Sequence, residues 1–404
     1  MKEKLKQYLQ NFSGDYADIL IEEGFYTTVS FNGKELKSYS TYSKTGGHVR
    51  VFHKGGKATG SFVDSKKIPN LLAELETGSE LIGSSRKKPI RLKVAPVIKA
   101  KYKPRVKIHP KKISLTEKFD LLKYYNDLLL NQKIVSMTEI GYIELHIKKS
   151  FFNTEGTEID QEIVLVNIAA GIYGKSDKTT QSLRIGIGGN EDYNSLLNRD
   201  EVFLKQTRIL EQLINSDPIK GGVFPVILDP HEAGVFIHEA FGHLSEADII
   251  QNHPTFRKEM YMDRRLGKPI LNVIDDSSIS GHPGSYKYDD EGVEAKKTYL
   301  IKDGILSGRM HSRETAEDFG EELSGNCRAE NYTYTPIIRM SNIFIDSGET
   351  KFDDMLTSID DGYYLCHAKG GQTMGDMFSF GAQYGYEIKN GKLGNMVRDI
   401  NMSG

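Results

Sequence analysis

Apolar residues recur at two different spacings in the first 218 residues. Helical spacing predicts helices over residues 2–11, 68–75, 114–132 and 200–215. Alternation of apolar and polar residues predicts strands over 18–22, 26–32, 47–53, 58–63, 143–148, 162–169 and 182–186. Ser114 followed by Glu117 at the third position beyond it predicts a capped helix start. We therefore expect an α+β subdomain at 1–85 and a second α/β subdomain at 113–218.

The intervening segment, residues 86–112, is basic and rich in proline. It holds twelve lysines or arginines, four prolines and no acidic residue. Prolines remove backbone donors and bias preceding residues to extended conformations, so the segment is predicted to be a solvated, extended linker. The alternative is a strip that binds phosphate groups. Its single aromatic residue, Tyr102, disfavours a surface for single-stranded nucleic acid.

From residue 219 onward short strand-like runs dominate. Runs at 297–301, 337–344, 362–366 and 382–388 alternate with turns that contain Asp303-Gly304 or Asn390-Gly391, which are strong hairpin signals. We expect a mainly antiparallel β domain over 219–404 with one helix of interest. The predicted fold class is therefore α+β, in which a mixed α/β part precedes a mainly antiparallel β C-terminal domain that carries this helix.

The charge and the cysteine content disfavour a nucleic-acid-binding, lipid-binding or secreted disulfide-rich protein. The chain has 53 basic and 55 acidic side chains. Its net charge of −2 provides no overall electrostatic attraction for nucleic acid or anionic lipid. Two cysteines, Cys327 and Cys366, are too few for a secreted disulfide framework. The first residues lack the apolar core of a signal peptide, and no window resembles a membrane span. The expected location is the cytoplasm.

The strongest candidate for chemistry begins at Asp229, which suits a helix cap and precedes a proline. The helix then contains His238-Glu239-x-x-x-His243, which resembles the H-E-x-x-H zinc peptidase helix with one extra residue between the histidines. Residues five apart in an α-helix lie about 140° apart around its axis, so one metal ion cannot readily reach both rings. A π-bulge, or a helix end at Gly242, would bring them together.

If zinc binds here, His238 and His243 are its ligands and Glu239 is the general base that activates water. Glu246, three residues after His243, could bind the metal or orient the His243 ring. It could equally face solvent. The alternative for the histidines is that they are unrelated residues of a helix surface or of the edge of the core.

Together with other segments, this helix resembles the TldD/PmbA family of metallopeptidases. The matching segments, in chain order, are His238–Asp248, Asp275-Asp276, Pro283-Gly284-Ser285, Tyr288-Asp289-Asp290-Glu291-Gly292, Arg328-Ala329-Glu330-Asn331-Tyr332, Pro336 with Arg339-Met340-Ser341-Asn342, Gly370-Gly371-Gln372, and Tyr386 to Gly391. The resemblance implies a cytoplasmic zinc peptidase of the TldD type, which acts on short or unfolded peptides in peptide maturation or degradation. It also implies a homodimer, or a heterodimer with a PmbA-like subunit. An older family label refers to modulation of DNA gyrase.

The same resemblance implies a third zinc ligand, a cysteine in a C-terminal Cys-Gly-Lys type segment. The sequence reaches Gly404 before such a segment, so we expect the metal site of this chain to be incomplete. Neither Cys327 nor Cys366 matches the ligand cysteine of the family. The competing function is a noncatalytic subunit that binds peptides or supports assembly, since strand-rich domains can bind extended peptides. Substrate-binding residues, peptide specificity and cleavage mode are not predicted.

Overall fold

A seven-stranded sheet occupies the first half of the chain in the computed structural model, which describes residues 2–177, 179–190, 192–374 and 377–404. Its strands are β1 (Tyr16–Asn32), β2 (Glu35–His53), β3 (Gly56–Phe62), β4 (Lys99–Tyr102), β5 (Met137–Asn153), β6 (Glu158–Lys175) and β7 (Thr180–Asn190). Their order is β3-β2-β1-β5-β6-β4, and β7 pairs with a different stretch of β6. Strands from both predicted N-terminal subdomains therefore share one sheet.

The first strand is longer than the alternation of apolar residues predicts. β1 runs without interruption through residues 18–22 and 26–32, which the sequence suggests are two strands. Glu22 and Glu23, where the first of these runs ends, lie opposite Lys149 and Lys148 of β5. Opposite charges across neighbouring strands stabilise the pairing, so these charged residues continue the strand instead of ending it.

Part of the basic segment 86–112 is an edge strand. β4 pairs with β6 in parallel, and this register sets Lys99 and Lys101 opposite Glu158 and Asp160. The alternation of lysines thus matches an alternation of acids on the neighbouring strand. These two lysines serve the pairing of two strands, which explains part of the positive charge of the segment without a nucleic-acid partner.

Four helices cover this sheet: α1 (Lys2–Gln10), α2 (Ile68–Ser85), α3 (Leu115–Leu130) and α4 (Asp200–Ile214). The predicted capping box is confirmed, because Glu117 N–H donates to Ser114 Oγ at 3.1 Å and Ser114 N–H donates to Glu117 Oε2 at 2.9 Å. α2 extends ten residues beyond its predicted end. α1 and α2 share one hydrophobic cluster with β1–β3, and α3 and α4 share another with β5–β7. The division at residues 85 and 113 stays a prediction.

The second half of the chain consists of short helices and further sheets. Its helices are α5 (Pro230–Ile237), α6 (Ala247–Gln251), α7 (Pro254–Glu259), α8 (Arg313–Phe319) and α9 (Phe352–Thr357). Its strands are β8 (Asp217–Pro218), β9 (Val226–Leu228), β10 (Val273–Asp276), β11 (Lys297–Lys302), β12 (Ile305–Leu306), β13 (Cys327–Arg328), β14 (Ile337–Ile338), β15 (Ile343–Ile345), β16 (Asp361–Met374), β17 (Met377–Lys389), β18 (Lys392–Arg398) and β19 (Met402–Ser403). The larger sheets have the orders β8-β18-β17-β16-β9 and β12-β11-β10-β15.

These sheets confirm the α+β fold class, with hairpins at both predicted Asp-Gly and Asn-Gly turns. The pairings of β16 with β9 and of β18 with β8 are parallel, and the others of this half are antiparallel in the described residues. None of the helices in the described part of the chain combines the length and apolar character that a bilayer crossing requires.

The predicted strand at 337–344 is wrong, since β14 and β15 are separate strands in different sheets. Between these two strands the backbone N–H groups donate to other segments of the chain. Arg339 N–H donates to the carbonyl of Asn326 at 3.0 Å, and Ser341 N–H donates to Asp275 Oδ1 at 2.7 Å. The chain therefore changes direction, although its residues favour an extended conformation. This change brings residues 341–344 beside the helix α5.

A buried ionic network joins the two halves. Arg50 of β2 donates to Asp18 Oδ2 of β1 at 2.6 Å and to Glu291 Oε1 of the C-terminal half at 2.7 Å. All three side chains are almost fully buried, with exposures of 1–3%. Glu291 also accepts the backbone N–H of Arg313 at 2.6 Å. Each charge thus has a partner in an environment where an unpaired charge would strongly destabilise the fold.

Candidate metal site

The helix α5 starts as its sequence predicts. Asp229 Oδ1 accepts the N–H of Glu232 at 2.7 Å, and Pro230 occupies the first turn. After Ile237 the helix changes type, because His238–Gly242 form a π-helical turn and His243–Ser245 a 3-10 turn. The predicted π-bulge is therefore present. Gly242 does not end the helix, because its backbone is right-handed, with φ −54° and ψ −50°.

Packing explains why glycine occupies position 242. A side-chain Cβ there would overlap the sulfur of Met340, which lies in the hydrophobic cluster beneath the helix together with Ile237 and Phe241. The hydroxyl of Ser245 donates to the carbonyl of Gly242 at 2.7 Å. This close packing and this hydrogen bond stabilise the π-helical turn at the point where regular α-helical hydrogen bonding ends.

The π-helical turn brings the two predicted histidines together. The ring centroids of His238 and His243 are 4.8 Å apart, and ligand atoms of His238, Glu239 and His243 all lie within 4.8 Å of one another. In the described residues this is the one group of three or more histidine, cysteine or acidic side chains arranged closely enough for a metal ion. Burial, followed by the nearby His243, lowers the pKa of His238. A neutral imidazole of this kind is the form that binds metal.

Glu246 contacts His243 and is not part of that group. Its Oε2 lies 3.1 Å from His243 Nδ1, its side chain is buried, and its Oε1 has no hydrogen-bond partner among the described residues. The hydrogen bond raises the pKa of His243. It also holds the proton on Nδ1 and leaves Nε2 as the nitrogen available to a metal. This is the arrangement in which an outer carboxylate orients a ligating histidine.

Two residues that the sequence did not single out as site residues hold Glu239. The Thr373 hydroxyl lies 2.6 Å from Glu239 Oε2 and 2.8 Å from the Glu239 carbonyl, either of which can accept its proton. Gly371 is so close that an added Cβ would lie 2.5 Å from Glu239 Cγ. Both belong to β16, and the Gly370-Gly371 pair is a sequence feature that permits a close approach of backbone to a site.

A cleft of about 670 Å³ opens beside this group. It is lined by Gly234, Val235, His238, Glu239, Ile279, His282, Ser341, Asn342, Ile343, Phe344, Gly370 and Gly371. One wall is a loop at residues 277–285, which Asn342 fixes: its Oδ1 accepts the N–H of Gly284 at 3.0 Å and its Nδ2 donates to Ser285 Oγ at 2.9 Å. The cleft is therefore bounded by segments that hydrogen bonds hold in place.

The cysteines lie apart from this group. Both are free and buried. Burial raises the pKa of the Cys366 thiol to about 12 and that of Cys327 well above its usual range. Thiols in such surroundings stay protonated at neutral pH and are poor nucleophiles. A cysteine peptidase mechanism has no support in this arrangement.

Comparison with protein families gives two matches. Residues 221–404 match the PmbA/TldA metallopeptidase C-terminal domain, and residues 17–79 match the PmbA/TldA metallopeptidase domain 1. The chain is similar to a metalloprotease of Synechocystis, with 36% identity over 96% of this chain and 84% of the relative. It is also 38% identical to a zinc metalloprotease TldD homolog of Saccharolobus solfataricus, over 49% of this chain and 44% of that relative.

A solved structure has the same fold. TldE from Thermococcus kodakarensis superposes with a TM-score of 0.75 at 18% sequence identity, and the match covers all of this chain and 91% of TldE. Identity at this level establishes the fold alone. The Synechocystis relative establishes more, since it matches nearly the whole chain and is named a metalloprotease. The chain belongs to the TldD/PmbA family of metallopeptidases.

Proposed function

We propose that this protein is a zinc-dependent peptidase of the TldD type that hydrolyses short or unfolded peptides. The observation that carries the proposal is the π-helical turn, which gathers His238, Glu239 and His243. A regular α-helix would separate the two histidines around its axis. The name of the Saccharolobus relative, a zinc metalloprotease, supports zinc as the metal.

The residues present supply two of the three protein ligands that a catalytic zinc ion usually has. His238 and His243 would hold it, and the buried carboxylate of Glu246 orients the His243 ring through Nδ1. Neutral imidazole nitrogens are common zinc ligands, and a histidine with a carboxylate partner is a recurring zinc ligand. A bound zinc ion supplies Lewis-acid chemistry, in which it polarises a carbonyl and makes water more acidic.

The chain's own residues supply proton transfer and positioning. Glu239 takes a proton from the attacking water and returns it to the leaving amine. Thr373 and Gly371 keep its carboxylate beside the histidines. The walls of the cleft place the peptide next to Glu239.

Assembly and location are part of the proposal. The fold shared with TldE and the TldD homolog names of relatives support a homodimer or a heterodimer with a PmbA-like subunit. Two free thiols suit a reducing compartment, so we place the protein in the cytoplasm. The balanced charge, with a net value of −2, gives no support for nucleic acid as a partner.

Metal content tests this function. We expect purified protein to carry about one zinc ion per chain, measured by mass spectrometry of the metal. His238→Ala and His243→Ala should lose it. The control is His253→Ala, since His253 is exposed and lies outside the site. Protein that carries no zinc but binds unfolded peptides would overturn the proposal and favour the noncatalytic peptide-binding subunit.

Glu246→Gln is expected to weaken zinc binding by about 10–100-fold, because a neutral amide holds the His243 ring less firmly than a carboxylate does. The zinc dissociation constant, measured by competition with a chelator, checks this. Glu211→Gln, an exposed substitution on α4, should leave the constant unchanged. Equal constants for Glu246→Gln and wild type would mean that Glu246 does not orient a zinc ligand.

A further inference from the structure

The cleft beside Glu239 has apolar walls that the protein core does not use. Val235, Ile279 and Phe344 line it, are only partly buried, and lie outside the hydrophobic clusters of the described chain. Ile343 completes the apolar lining. Partly exposed apolar side chains gathered around one concave surface are typical of a binding site. An apolar group bound in the cleft would remove these side chains from water.

The charge on the cleft walls also favours an apolar side chain over a charged one. Glu239 is the one lysine, arginine, aspartate or glutamate among the described residues that line it. An acidic side chain of a substrate would be repelled by Glu239, and no lysine or arginine in the described lining of the cleft would offset this repulsion. A basic side chain would have one acceptor, but Glu239 already accepts a hydrogen bond from Thr373 and serves in proton transfer.

Gly234 leaves part of the cleft open. It lies inside α5 and lines the cleft, and a Cβ at this position would meet no atom within 4 Å. Glycine inside a helix destabilises it relative to alanine. No close neighbour requires the glycine, and its effect is to leave open volume next to His238 and Glu239.

Resting on the proposed peptidase function, we propose that this cleft is a specificity subsite for a bulky apolar side chain, such as leucine or phenylalanine, of the residue adjacent to the scissile bond. Val235, Ile279 and Phe344 contact that side chain, and Gly234 provides the room for it. A volume of about 670 Å³ holds such a side chain together with its flanking backbone. The substrates are thus unfolded peptides cleaved beside large apolar residues.

Peptides that differ only at the positions flanking the cleaved bond test this subsite. In the wild type we expect kcat/KM for leucine or phenylalanine to exceed that for alanine by about 10–200-fold, as apolar pockets discriminate. Glutamate should be the poorest. Equal rates for alanine and phenylalanine, or a preference for lysine, would overturn the proposal.

The variant Gly234→Leu adds a side chain to this space, and its Cβ meets no other atom within 4 Å. It should remove the advantage of leucine and phenylalanine, so that the kcat/KM values for phenylalanine and alanine peptides differ by no more than about twofold in this variant. Gly348→Leu is the matched control, since a Cβ at this exposed glycine also meets nothing within 4 Å. An equal loss for all peptides in Gly234→Leu would contradict a role in specificity.

Binding provides a readout besides activity. Fluorescence anisotropy of labelled peptides with the Glu239→Gln protein should show tighter binding of the phenylalanine peptide, and Gly234→Leu in that background should abolish the difference. Zinc content of each variant separates the two proposals. Zinc-loaded protein that cleaves peptides without preference refutes the subsite alone, whereas protein without zinc or cleavage refutes the peptidase function.

Discussion

Glu239→Gln is expected to lower kcat/KM for peptide hydrolysis by about 10²–10⁴-fold, the usual contribution of a general base. Glutamine has nearly the same size and can still accept the hydrogen bond from Thr373, so the cleft keeps its shape. Its amide cannot take a proton from water at neutral pH. The measurement is steady-state cleavage of an unfolded peptide by wild-type and variant protein loaded with the same amount of zinc.

The control for this loss is Glu211→Gln, the same chemical change at an exposed position of α4. Its kcat/KM should equal that of wild type. Zinc content should be equal in all three proteins, because Glu239 is assigned to proton transfer and the histidines to the metal. If Glu239→Gln loses zinc together with activity, Glu239 is a ligand and not the base. Full activity in the zinc-loaded variant would remove the proposed mechanism.

Arg50→Met is expected to lower the free energy of unfolding by about 3–5 kcal/mol, the range for removing one partner of a buried ion pair. Methionine fills much of the space but leaves Asp18 and Glu291 as buried carboxylates without their cation. Both acids would then be desolvated without this guanidinium, and Glu291 would keep only the backbone N–H of Arg313 as a hydrogen-bond donor among the described residues. Urea denaturation followed by circular dichroism measures the change.

The exposed ion pair between Arg208 and Glu201 provides the matched control. Arg208→Met removes an arginine from an ion pair in the same way, but water can solvate the remaining acid. A change within about 0.5 kcal/mol is expected there. Similar unfolding midpoints for Arg50→Met and Arg208→Met would show that burial of the Arg50 network does not contribute to stability.

Helices of the N-terminal half were largely predictable, because their signals are local. The Ser114–Glu117 capping box depends on residues three apart, and the structure contains it. The length of β1 was not predictable, since Glu22 and Glu23 look like the end of a strand until Lys149 and Lys148 lie opposite them. The same holds for Lys99 and Lys101, whose acidic partners come more than fifty residues later. Long-range pairing of charges leaves no local pattern.

The candidate metal site was predictable only where its signals are local in the sequence. The spacing of His238 and His243 required a local change of helix type, and one of the two devices considered, the π-bulge, is present. The hydrogen bond of Glu246 to His243 was one of several open roles. Thr373 was not found, because it reaches Glu239 only when β16 folds back over a helix 134 residues earlier in the sequence.

The network around Arg50 also bears on the order in which the chain can fold. Arg50 precedes its partner Glu291 by 241 residues, and Lys149 precedes its partner Asp290 by 141. During synthesis both cations emerge well before these two acids, and until Glu291 arrives Arg50 has only Asp18 of its two acidic partners. Contacts that close such long loops form slowly. We therefore expect the docking of the metal-bearing half onto the N-terminal sheet to be a late step, completed only after the ribosome has passed residue 291.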